Sequence, residues 1–67
     1  MRVPVARYPG LRGLCWNRPA DAVVDGKEAL ALYESNWRHL DVGQLDDEEK
    51  AFLDTLVARF GNGVLNV

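Results

Sequence analysis

Three features of this sequence combine residue types that can do chemistry. Cys15 and His39 are the only cysteine and the only histidine. Asp46-Asp47-Glu48-Glu49 is an uninterrupted acidic run, and Arg2, Arg7, Arg12 and Arg18 are interleaved with Tyr8 and Trp16. A thiolate beside an imidazole would do nucleophilic chemistry, and clustered carboxylates would attract a divalent cation. Arginines among aromatic rings are the types that grip phosphates and stack on bases. Each feature also has a plainer structural reading, and spacing weighs one against the other.

A calcium loop alternates oxygen ligands over about a dozen residues with a glycine at the bend. The run from Asp46 to Glu49 lacks that pattern. Acids opening a helix cap its free amides and meet the positive end of its dipole, which explains the run without a metal. His39 has no second histidine to share a zinc ion with and no evident orienting partner. Cys15 lies between Leu14 and Trp16, the setting of a small buried hydrophobe, although Arg12 and Arg18 are near enough in sequence to activate a thiol. Catalysis by Cys15 and His39 therefore ranks below burial. There is no G-x-S-x-G, the single serine is Ser35, and Gly61 and Gly63 follow a helical pattern where a dinucleotide fingerprint needs a strand. The expectation is a protein without catalytic, cofactor-binding or metal-binding residues.

The arginines are spaced by five or six residues, which puts them on no common helical or strand face. A helix-turn-helix reading conflicts with Asp47, Glu48 and Glu49, which would open the second helix where a recognition helix meets DNA. Any polyanion would have to be held by Arg2, Arg7, Arg12 and Arg18 alone. The possible interface residues are Trp16, with Tyr8 and Leu14 beside it in a segment punctuated by proline and glycine. Tryptophan buries much area and is enriched at binding hot spots. Trp37 falls on a helical stripe and belongs to the core.

Two helices must position these groups. Asp25 and Glu28 have capping-box spacing, in which each side chain satisfies the other's exposed amide. Ala29, Leu30, Tyr33, Trp37 and Leu40 then form one apolar stripe, with Glu34 and Arg38 a favourable pair on the other side. This predicts a helix over about 26–40, closed by Gly43. Asp46 and Glu49 repeat the box, and Phe52, Leu53, Leu56, Val57 and Phe60 form a second stripe with Arg59 in the last turn. That predicts a helix over about 47–60, closed by a left-handed Gly61. The stripes face each other in an antiparallel αα-hairpin with a loop of about six residues. Residues 1–19, carrying Pro4, Pro9 and Pro19, read as extended or irregular, with edge-strand pieces at Arg2–Ala6 and Leu14–Trp16. They and the tail Val64-Leu65-Asn66-Val67 are expected to cover the hairpin, pairing as short strands. The class is α+β, mainly α, in one small domain over 1–67.

Charge and size bound the function. Residues 1–18 carry four basic side chains and no acid, and the body from 19 onward sums to −6, within a net −2. Such a split signals a polyanion-binding arm, self-complementarity, or two halves folded against each other. A chain of 67 residues buries only about 60% of its unfolded surface, and one cysteine permits no internal disulfide. With 48% hydrophobic residues, some apolar surface is left for contacts. The expected function is a small non-enzymatic interaction or regulatory module that binds a protein partner or forms a homo-oligomer, a dimer first. The alternative is a nucleic-acid-associated regulator, antitoxin-like in size, using the arginine arm. No apolar run reaches the roughly 18–20 residues of a membrane span and no secretory leader opens the sequence, so the expected location is cytoplasmic, with no membrane and no cofactor involved.

Overall fold

The computed structural model describes residues 1–65 and 67. It is mainly helical, with three α-helices and a two-stranded antiparallel sheet. Strand β1 (Arg2–Pro4) pairs with β2 (Val23–Asp25) in the register Arg2↔Asp25, Val3↔Val24 and Pro4↔Val23. Alternation turns Val3 and Val24 inward, where both are buried, and their neighbours outward. The strand at β1 falls inside the expected extended piece, but its partner is β2 and not the C-terminal tail. A short 3-10 turn (Val5–Arg7) follows β1.

Helix α1 (Pro9–Leu14) replaces the irregular segment expected there, and the piece Leu14–Trp16 is the end of this helix and the turn after it, not a strand. Pro9 sits at N1, where a missing N–H does no harm and a fixed φ favours the helix. Pro9-Gly10 is thus a helix start where the dipeptide suggests a turn.

Helix α2 (Gly26–Ser35) opens on Asp25, whose side chain accepts from the Glu28 amide at 2.7 Å. It stops at Ser35, five residues short of the expected end. Asn36 folds its Nδ2 back to the Leu32 carbonyl at 2.9 Å, and a 3-10 turn (Trp37–His39) carries the chain away. Trp37 and Leu40 still pack against the core, though from this turn and its edge. A further 3-10 turn (Val42–Gln44) completes a connection longer than the six residues expected.

Helix α3 (Asp47–Phe60) has the predicted bounds and packs against α2. Asp46 caps it, accepting from the Glu49 amide at 2.7 Å. Gly61 ends it at φ −107°, so the left-handed residues are Asn62 and Gly63 instead. Gly61 is needed for close approach, because a methyl group there would come within 2.9 Å of the Val64 carbonyl oxygen. The tail forms no strand among its described residues, Asn66 lying outside them, and Leu65 packs onto the core.

One core joins the basic segment to the acidic body. Val3, Val5, Tyr8, Leu11 and Cys15 meet Ala29, Leu30 and Tyr33 of α2 and Leu53 and Leu56 of α3.

Candidate functional site

The chemistry of this chain gathers where α1, α2 and α3 meet. Glu49, on the first turn of α3, has no solvent exposure. Its Oε1 accepts from the Gly10 amide at 2.8 Å, and its Oε2 accepts from the Leu11 amide at 2.9 Å and from the Tyr33 hydroxyl at 2.6 Å. The two amides belong to the first turn of α1, where backbone donors have no intrahelical partner. Tyr8, the residue before α1, makes no side-chain cap. Glu49 therefore supplies from another helix the cap that α1 lacks locally. The sequence places Glu49 in a capping box reaching back to Asp46. Only the Asp46 half forms, and the Glu49 carboxylate goes to α1.

Burial of Tyr33, then its bond to the Glu49 carboxylate, push its hydroxyl far above the ordinary tyrosine range. The phenol stays a donor at any ordinary pH. Sequence reasoning missed both members of this pair. The available signal was that a helix beginning at Pro9 after Tyr8 needs an acceptor from elsewhere.

The predicted interface residues separate. Tyr8 is buried, its ring stacked on Phe52 at 4.0 Å between centroids and 8° between planes. Leu14 is half-buried against the core. Trp16 stands out, 84% exposed, on the lip of an open groove of about 690 Å3. One wall of the groove is α1, through Pro9, Gly10, Gly13 and Leu14. The opposite wall comes from the connection after α2, through His39, Leu40, Asp41 and Leu45. The α1 wall depends on Glu49, which accepts from the Gly10 and Leu11 amides. His39, the single histidine of the sequence, thus enters the site as groove lining.

The arginines divide as well. Arg7 donates from Nε and Nη2 to Glu48 Oε1 at 2.9 and 2.7 Å, and Glu48 raises the Arg7 pKa above its ordinary value. Arg18 lies 3.6 Å from Glu28. Arg2 and Arg12 form no ion pair among the described residues. Part of the charge split is therefore met inside the chain, basic segment on acidic body.

Cys15 is buried, and desolvation, with Glu28 adding and Arg18 opposing, raises its thiol pKa. The thiol is set up as an inert core group and not as a nucleophile. Among the described residues no group of three or more His, Cys, Asp or Glu could hold a metal ion, and no helix is long and apolar enough to cross a membrane.

No protein-family model matches this chain, and no curated protein or solved structure matches it.

Proposed function

We propose that this chain is a small, non-enzymatic interaction module that binds a protein partner or a second copy of itself through the groove beside Trp16. The observation that carries this reading is the exposure of Trp16 at the lip of a groove. A tryptophan left 84% exposed by a chain of 67 residues forgoes the largest single contribution it could make to a thin core. Tryptophan, with tyrosine and arginine, is enriched among the residues that carry the binding energy of protein contacts. The groove walls add apolar surface from Leu14, Leu40 and Leu45, with Asp41 and His39 at hand for polar contacts.

In this reading α2 and α3 form the frame, a helical hairpin, and α1 is the presenting element that Glu49 holds against it. A cytoplasmic setting is supported by the unpaired, buried thiol of Cys15, which fits a reducing compartment. The nucleic-acid alternative draws less support, since Arg7 and Arg18 face acids of the same chain.

Trp16→Ala tests the reading. It should leave the melting temperature within about 2 °C, because an exposed side chain contributes little to folding, while weakening association at least tenfold. A large loss of stability with association intact would overturn the proposal. Binding to DNA or RNA at low salt that falls steeply as salt rises would favour the alternative.

A further inference from the structure

We propose that Asn62 is a site of spontaneous modification, at which its side chain closes onto the Gly63 amide and loses ammonia, and that the turn ending α3 sets the rate in the folded chain.

The turn explains why this dipeptide stands here. After α3 the chain reverses over Gly61–Val64, where the Val64 amide donates to the Gly61 carbonyl at 3.0 Å. The two central residues, Asn62 and Gly63, have φ of 55° and 79°. Positive φ at both central positions is the pattern of a type I′ turn, which asparagine followed by glycine fills best. The geometry thus selects the dipeptide most open to this reaction. Both residues are exposed, and nothing lies within 4 Å of the place a Gly63 side chain would take. Glycine itself has no side chain to shield its nitrogen.

The chemistry balances with water alone. The Gly63 nitrogen gives up its proton and bonds to the side-chain carbonyl carbon of Asn62. The bond from that carbon to the side-chain nitrogen breaks, and ammonia leaves with a proton. Water then opens the cyclic imide at either carbonyl, leaving aspartate or isoaspartate at position 62.

The fold holds the nucleophile back. The Gly63 amide donates to the Val57 carbonyl at 3.0 Å, and the Gly61 amide donates to the same oxygen at 2.9 Å. While this clasp is closed the Gly63 proton is engaged, so the reaction waits for the end of α3 to open, and such ends lie at the low-stability limit of a structure. The other asparagines lack the combination. Asn17 precedes Arg18, Asn36 precedes Trp37 and Asn66 precedes Val67. Asn36 also commits its side chain to the Leu32 carbonyl. Conversion alters the clasp itself. It adds negative charge at the C-terminal end of α3, where the helix dipole is already negative. Isoaspartate also lengthens the main chain inside the turn, which parts Gly63 from Val57.

The test incubates the full chain at mildly alkaline pH, in buffer and in guanidinium chloride. Peptide mass spectrometry with fragmentation that separates isoaspartate from aspartate locates the products. In guanidinium Asn62 should convert ahead of Asn17, Asn36 and Asn66. Gly63→Ala should slow it several-fold there, where the strain of a side chain at φ 79° is absent. In buffer Asn62 should convert at least about tenfold more slowly than in guanidinium, the factor for an opening of about 1.4 kcal/mol. Gly61→Ala places a methyl group 2.9 Å from the Val64 carbonyl oxygen and 3.1 Å from that of Val57. It should raise the rate in buffer toward that in guanidinium, with the far-ultraviolet circular dichroism and the guanidinium rate unchanged. Asn62 lagging behind another asparagine in guanidinium would overturn the site. Equal rates in the two solvents, or a Gly61→Ala chain that converts no faster in buffer, would overturn the clasp as its control. Hydrogen exchange of the Gly63 amide repeats the second test without a substitution. Exchange and conversion should be slowed together, and free exchange without conversion, or a protected amide with conversion as fast as in guanidinium, would each overturn that control.

Discussion

The Tyr33 hydroxyl donates to the Glu49 carboxylate across 2.6 Å at a point where neither side chain touches solvent. This bond links α2 to α3, and the same carboxylate takes two amides of α1. Three helices thus converge on one acid.

Glu49→Gln should lower stability by about 2–3 kcal/mol. The amide presents an NH2 group where a carboxylate oxygen accepts, so at least one buried donor among Gly10, Leu11 and Tyr33 loses its acceptor. Urea denaturation followed by circular dichroism measures this. A change below about 0.5 kcal/mol would show that the carboxylate does not hold α1.

Tyr33→Phe should cost about 1–2 kcal/mol near neutral pH, as one charge-assisted bond is lost and Glu49 keeps two donors. The pH dependence has a definite sign. The folded-state pKa of Tyr33 lies above the ordinary value near 10, so the unfolded chain loses this proton first. Its contribution is complete below pH ~10 and is lost as pH rises beyond that. Absorbance of tyrosinate from Tyr33 should therefore appear together with unfolding, and Tyr33→Phe should remove that alkaline step. Ionisation of Tyr33 in a chain still folded by circular dichroism would refute the argument.

Gly10 and Gly13, three residues apart in α1, should respond oppositely to alanine. A methyl group at Gly10 would come within 2.5 Å of Leu45 Cδ2 and 2.7 Å of Glu49 Oε2, and Glu49 is pinned by its three donors. Gly10→Ala should destabilise by about 1–3 kcal/mol. At Gly13 nothing lies within 4 Å, so Gly13→Ala should gain up to about 1 kcal/mol of helix propensity. Thermal melts of both variants decide it, and equal signs would contradict the packing described.

Cys15 should react with a thiol reagent at pH 8 at least about 100-fold more slowly in the folded chain than in denaturant, given its burial and raised pKa. Comparable rates would place the thiol at the surface.

What the sequence made legible was local. Asp25 and Asp46 cap helices because each side chain reaches an amide three residues on, a contact needing nothing beyond its own segment. The bounds of α3 follow from the same logic and from a stripe long enough to show its period. The rest depended on distant partners. α1 has six residues, two of them internal glycines, too few to display a period and unable to hold a helix unaided. Glu49 has the local spacing of a box member, and its true partners lie 38 and 39 residues earlier. Trp16 looked like Tyr8 and Leu14 by type and neighbourhood, and only tertiary placement set it apart from them.

The capping of α1 by Glu49 also fixes an order of events during synthesis. Residues 9–14 are joined to the chain well before residue 49 exists, as a nascent chain grows at only about 5–20 residues each second. For that interval the amides of Gly10 and Leu11 have water as their partner, and Leu11 and Tyr8 have no α3 to cover them. Helix α1 is made before the residue that completes it, and it settles only once α3 has followed.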